Sequence, residues 1–126
     1  MRLNPDCIRD ILLTVEENTD FSTYMRFNEG TDYPLLKKYS TDEVFYHIKQ
    51  CELSCLIPKV SFSFGPSCLI EDLTPSGHEF LANIRSDSAW NKTKEISKNI
   101  GSSSLDTLKQ IATGVITELI KSQFQL

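Results

Sequence analysis

Ser40-Thr41-Asp42-Glu43-Val44-Phe45-Tyr46-His47-Ile48-Lys49-Gln50-Cys51-Glu52-Leu53 opens the stretch that decides how this chain folds. Ser40 with Glu43 is a capping box, in which the serine hydroxyl accepts from the Glu43 N–H and the carboxylate reaches back. Val44, Ile48, Cys51 and Cys55 follow at i, i+4, i+7 and i+11. That spacing predicts one buried stripe holding both cysteines, with Asp42, Tyr46, Lys49, Gln50 and Leu53 turned outward. An apolar hairpin is expected next, over Leu56–Leu73. Val60, Phe62 and Phe64 alternate onto one face, Gly65-Pro66-Ser67 turns the chain, and Cys68–Leu73 returns it. Thr74 then caps a helix, Pro75 takes its first position, and Phe80, Leu81 and Ile84 supply core contacts. A helix, a two-stranded wing and a returning helix are the second half of a winged helix-turn-helix domain.

Upstream, Asn4 is a good N-cap, Pro5 suits the first helical position, and Asp6 complements the positive end of the helix dipole. Ile8, Ile11, Leu12 and Val15 give this helix an apolar stripe, and Glu16 to Asp20 end it. A short strand is expected near residues 23–28, then a turn at Asn28-Glu29-Gly30 and one helical turn opening at Pro34. That turn takes the place of the helix before the recognition helix. Downstream, Ser86-Asp87 caps a helix with Ala89, Trp90, Thr93, Ile96 and Ile100 on one stripe, closed by Gly101. The last helix places Leu105, Leu108, Ala112, Val115 and Leu119 at 3-4 spacing, widened by Ile111, Ile116 and Ile120. So broad a stripe docks deeply or forms a homodimer interface through Leu105–Phe124. The expected class is α+β, mainly α: a winged helix-turn-helix with a two- or three-stranded sheet over residues 1–85, and two further helices over 86–126.

Composition is that of a soluble globular chain: 126 residues, 40% hydrophobic, 24% charged, with a formal charge of −4. The acidity argues against strong non-specific binding to nucleic acid without excluding a local basic patch. The opening residues lack an apolar signal core, and no apolar run reaches the roughly 20 residues of a membrane span. A cytoplasmic protein with no membrane association is therefore expected, in which Cys7, Cys51, Cys55 and Cys68 stay reduced as small apolar residues.

Asn4-Pro5-Asp6-Cys7-Ile8-Arg9-Asp10-Ile11-Leu12 resembles the "LNPDCVRDILL" opening of a family of small, uncharacterised bacterial and prophage proteins, catalogued as a domain of unknown function. The resemblance continues through Tyr39-Ser40, Asp42-Glu43-Val44 and Tyr46-His47-Ile48. It resumes at Asp72-Leu73-Thr74-Pro75 and Gly77-His78-Glu79-Phe80-Leu81, then Asn83-Ile84-Arg85 and Trp90 with Lys92-Thr93-Lys94. It implies a winged-helix group and carries no catalytic or binding residues to transfer. Before the wing, where the family tends to have "EAGLI", this chain has Leu53-Ser54-Cys55-Leu56-Ile57. Glycine accepts positive φ there and cysteine resists it, which points to a wider turn.

For function, the fold suggests duplex DNA, with the start of the 41–53 helix in the major groove and the wing tip 64–67 near a backbone. Thr41, Tyr46, Lys49 and Gln50 are then the base or phosphate contacts, and Arg26, Lys37, Lys38 and Lys59 the phosphate grips. Asp42 and Glu43 at the helix start, and Glu71 and Asp72 beside the wing, oppose phosphate. The alternative is an adaptor that binds a protein through the same fold. His47, Cys51 and Cys55 share a helical face, but without a paired C-x2-C knuckle they read as core, and no metal or cofactor is expected. His78 has only Glu79 beside it, and Trp90 with Lys92 and Lys94 reads as a core anchor beside solvated lysines. With no catalytic motif, the chain reads as a non-enzyme.

Overall fold

Local capping signals set most element ends in the computed structural model, which describes residues 1–63 and 67–125. In chain order these are α1 (Pro5–Asn18), β1 (Met25–Asn28), a 3₁₀ turn at Pro34–Leu36, α2 (Thr41–Leu53), β2 (Ser61–Ser63), β3 (Ser67–Ile70), α3 (Pro75–Ile84), α4 (Asp87–Ile100) and α5 (Leu105–Phe124). The fold is α+β and mainly helical. Its sheet is antiparallel in the order β1-β3-β2, with Met25 opposite Ile70 and Phe62 opposite Cys68. Among the described residues no helix is long and apolar enough to cross a membrane. The chain divides into two units, Met1–His78 and Glu79–Leu126, with the boundary inside α3.

In the first unit, Asn4 caps α1 by accepting from the Asp6 N–H at 3.1 Å, and Ser40 caps α2 by accepting from the Glu43 N–H at 3.1 Å. The apolar stripes of both helices are buried, as are Leu36 in the 3₁₀ turn and Met25, Phe27, Cys68 and Ile70 in the sheet. The Phe27 ring meets the Phe45 ring edge-on at 5.0 Å, joining the sheet to α2.

Three sequence expectations change here. Cys55 is exposed, because α2 stops at Leu53 and the expected buried stripe stops at Cys51. Val60 is buried ahead of β2, whereas Phe62 within it is 48% exposed, so the two do not share one face. Phe64 and the turn at Gly65-Pro66 lie outside the described residues. Leu56 and Ile57 are buried without belonging to a strand. Apolar character there reflects burial of the turn.

That turn is tight, not widened. Cys55 adopts the left-handed conformation at φ 61°, its N–H donates to the Glu52 carbonyl at 3.0 Å, and the Leu56 N–H donates to the Cys51 carbonyl at 2.9 Å. This is a Schellman cap with cysteine where glycine is the easy residue. A left-handed non-glycine residue costs about 1–2 kcal/mol, part of which glycine returns as greater freedom in the unfolded chain. Cys55→Gly is therefore expected to stabilise the chain by about 0.5–1 kcal/mol in chemical denaturation. No gain would mean the strain at Cys55 is offset by its side chain.

In the second unit, Ser86 caps α4 by accepting from the Ala89 N–H at 3.1 Å, and Gly101 closes it at φ 83°. Ser104 accepts from the Thr107 N–H at 3.2 Å to start α5. Ala89, Trp90 and Thr93 are buried, but Ile100, at the last turn beside Gly101, is 62% exposed. On α5 the buried stripe is Leu105, Leu108, Ala112 and Val115. It is narrower than the sequence suggested, and it fades toward Leu119, Ile120 and Phe124, which are exposed.

Candidate functional site

Helical periodicity sorts α2 into two faces. Val44, His47, Ile48 and Cys51 are buried. Opposite them Asp42, Tyr46, Lys49 and Leu53 recur at i, i+4, i+7 and i+11 in a single outward stripe. Gln50 and Thr41 lie on opposite flanks of that stripe, so the four residues expected to read bases do not share one line. Thr41 instead borders a pocket of about 230 Å³ with Phe27, Glu29, Tyr33, Lys37 and Tyr39.

Lys49 is the centre of the outward stripe, and it is engaged. Its Nζ lies 2.7 Å from Glu52 Oε1 and 5.5 Å from the centroid of the Phe62 ring. Glu52 also accepts from the Val60 N–H at 2.5 Å, so one carboxylate joins α2 to the start of the hairpin. These two bonds, the Lys49 one first, hold the Glu52 carboxyl below its ordinary pKa. Leu53, one turn beyond Lys49, is 64% exposed. Together Tyr46, Lys49, Leu53 and Phe62 form a surface of aromatic and aliphatic groups around one paired cation. Alternation along the hairpin puts Phe62 on one face with Val60, whereas the structure buries Val60 and leaves Phe62 half in water. The legible clue was Leu53, an apolar residue on an otherwise polar stripe.

Two of the four expected phosphate grips are paired too. Lys37 Nζ is 2.8 Å from Asp32, and Lys38 Nζ is 3.1 Å from Asp10, whose side chain is only 9% exposed. Arg26 on β1 and Lys59 before β2 are exposed. His78 lies 3.8 Å from Asp72 on the surface, and Trp90 is a buried residue with Lys94 5.6 Å over its ring. Burial of Trp90 agrees with its reading as a core anchor.

Of the five residues expected in a dimer interface, Leu105, Leu108, Ala112 and Val115 are buried within the chain, Val115 bordering the groove between α4 and α5, while Leu119 is 45% exposed.

His47 is fully buried, and its partners define its ring. Nδ1 lies 2.7 Å from the Glu43 carbonyl, which only accepts, and Nε2 lies 2.7 Å from the Asn4 N–H, which only donates. The tautomer is thereby fixed with the proton on Nδ1. Nε2 joins the start of α1 to α2, and Nδ1 is held within α2 itself. Cys55 is exposed on the turn after the helix, away from the buried stripe that holds His47 and Cys51.

A second polar link was not legible. Asp10, buried on α1, accepts from the Tyr39 hydroxyl at 2.6 Å as well as from Lys38. Burial first, and then the Asp10 carboxylate, raise the Tyr39 pKa far above its usual 10.0. Burial likewise raises Cys68 from 9.0 to about 11 and Cys7 to about 12. The folded chain thus holds these protons more tightly than the unfolded one. Their contribution to stability is complete below about pH 9 and is lost as pH climbs through these raised values. Tyr39→Phe is expected to cost about 1–2 kcal/mol at neutral pH and to flatten the decline above pH 10, read by denaturation at stepped pH. An unchanged alkaline slope would remove Tyr39 from this account.

The family model described as "Hypothetical protein (DUF2513)" matches residues 2–104. An "Uncharacterized protein" of Haemophilus influenzae is 31% identical over 123 residues, covering 95% of this chain and 99% of that relative. No solved structure matches. On the extent of both matches, the chain belongs to this family of hypothetical proteins.

Proposed function

We propose that this is a non-catalytic winged-helix protein that acts by binding another protein through the outward stripe of α2 and the adjoining β2. The order helix, strand, helical turn, helix, hairpin, with β1 paired to β3, supports the winged-helix reading, in which α2 is the recognition helix. The observation that carries the protein-binding reading is at Lys49. The central cation of α2 is already bound to Glu52 and stacked on Phe62, with Leu53 exposed beside it. Phosphate would have to compete with a carboxylate 2.7 Å away that is mostly buried and also held by the Val60 N–H, at a helix whose first turn carries Asp42 and Glu43. Exposed aromatic and aliphatic side chains beside a paired cation suit a protein hot spot.

A second reading, binding of duplex DNA by a transcription-regulator-like protein, is favoured by the exposed Arg26 and Lys59 and by the position of α2 itself. The two separate in fluorescence anisotropy with a pool of random-sequence duplexes at low salt. The protein-binding reading expects no salt-sensitive association. Association that weakens with salt, and falls further on replacing Lys49 and Gln50 together by alanine, would establish the DNA reading instead.

A further inference from the structure

α4 and α5 leave an apolar trough of about 690 Å³ between them. The pair is antiparallel: Ala89 near the start of α4 and Leu119 near the end of α5 border it, as do Ile96 and Ile111 further along. Its outer rim carries one charge of each sign, Lys92 from α4 and Glu118 from α5. α5 also outruns its partner. It has 20 residues against 14, an excess of about 9 Å at helical rise. Its last turns carry Leu119, Ile120 and Phe124, which are 45%, 52% and 82% exposed.

We propose that the trough is closed by a second copy of this chain, each copy laying the last turns of its α5 into the trough of the other around a two-fold axis. The chain carries both halves of this contact, an apolar trough and an apolar helix end, as a self-complementary two-fold interface requires. Charge complementarity selects the occupant. In a single copy Lys92 is 3.9 Å from Glu95 and Glu118 is 3.5 Å from Lys121, both within one helix and exposed. Such pairs are weak and exchangeable. A two-fold arrangement brings Glu118 of each copy against Lys92 of the other, with Leu119 and Phe124 entering the trough. Gly114, on its lining, would meet nothing within 4 Å if it carried a Cβ, so the incoming helix approaches an open backbone. The inserted element is therefore the end of α5 from Glu118 onward, while of the buried stripe from Leu105 to Val115 only Val115 borders the trough it enters.

Light scattering and sedimentation of the full chain test this. The expected particle has twice the 14.3 kDa mass of the chain. Leu119→Glu, at a position already half in water, is expected to give a monomer with an unchanged helical spectrum. Glu118→Lys is expected to raise the dimer dissociation constant by about tenfold or more, and adding Lys92→Glu to restore much of the loss. A monomer at every concentration overturns the proposal. So does a dimer indifferent to both Leu119→Glu and Glu118→Lys, or a monomer whose native mass spectrum carries an apolar small molecule that Leu119→Glu expels.

Discussion

Gly77→Ala is expected to destabilise the chain by about 3 kcal/mol, although alanine is the better helix former by about 1 kcal/mol. A Cβ at Gly77 would lie 2.0 Å from the Leu56 carbonyl oxygen and 3.0 Å from its carbon. That carbonyl cannot swing aside, since it accepts the Thr74 N–H at 3.0 Å. The Thr74 hydroxyl meanwhile donates to the Cys55 carbonyl at 2.5 Å and accepts from the Gly77 N–H at 3.0 Å. The first turn of α3 is thus seated backbone to backbone on the turn that ends α2. Any side chain forces the two apart, and overpacking of this kind costs at least as much as a typical core insertion. Ser76→Ala, exposed one residue earlier, is the control and should stay within about 0.5 kcal/mol of the parent. Denaturant midpoints decide it. A Gly77→Ala protein more stable than the parent would show that α3 does not sit where the structure puts it.

His47→Phe is the next largest effect, a loss of about 2–3 kcal/mol. The ring is fully buried, and its removal leaves the Asn4 N–H without its acceptor while a larger ring enters a filled site. For a chain of this size that loss lowers the melting temperature by about 10 °C. Lys49→Ala, two residues away on the outer stripe, should cost under about 1 kcal/mol, since it removes an exposed pair and one ring contact. If both substitutions cost the same, the two faces of α2 have been assigned wrongly.

The helices were legible because their ends are written locally. Asn4, Ser40, Thr74, Ser86, Gly101 and Ser104 all act at the element where they stand. What could not be read depends on distant residues. The helix end at Leu53 was legible, but the apolar spacing runs on past it to Cys55, which belongs to the turn and is exposed. Gly77 looks like an indifferent helical glycine until Leu56, 21 residues earlier in the chain, is brought against it. Asp10 sits among charged neighbours on α1, yet Tyr39 and Lys38 close over it. The same blindness affected the candidate site. Lys37, Lys38 and Lys49 read as available cations, and each has a carboxylate within 3.1 Å. Each such pair leaves little net charge where the sequence alone counts a free cation.

The proposal that the α2 stripe and β2 bind a protein has its most direct test at Phe62. Replacing Phe62 by a photoreactive benzoylphenylalanine places the probe where the ring now stacks against Lys49, on an exposed side chain. Irradiation in cells is expected to give one discrete protein adduct, abolished by Leu53→Asp. Adducts to nucleic acid, or a protein adduct that survives Leu53→Asp, would contradict it.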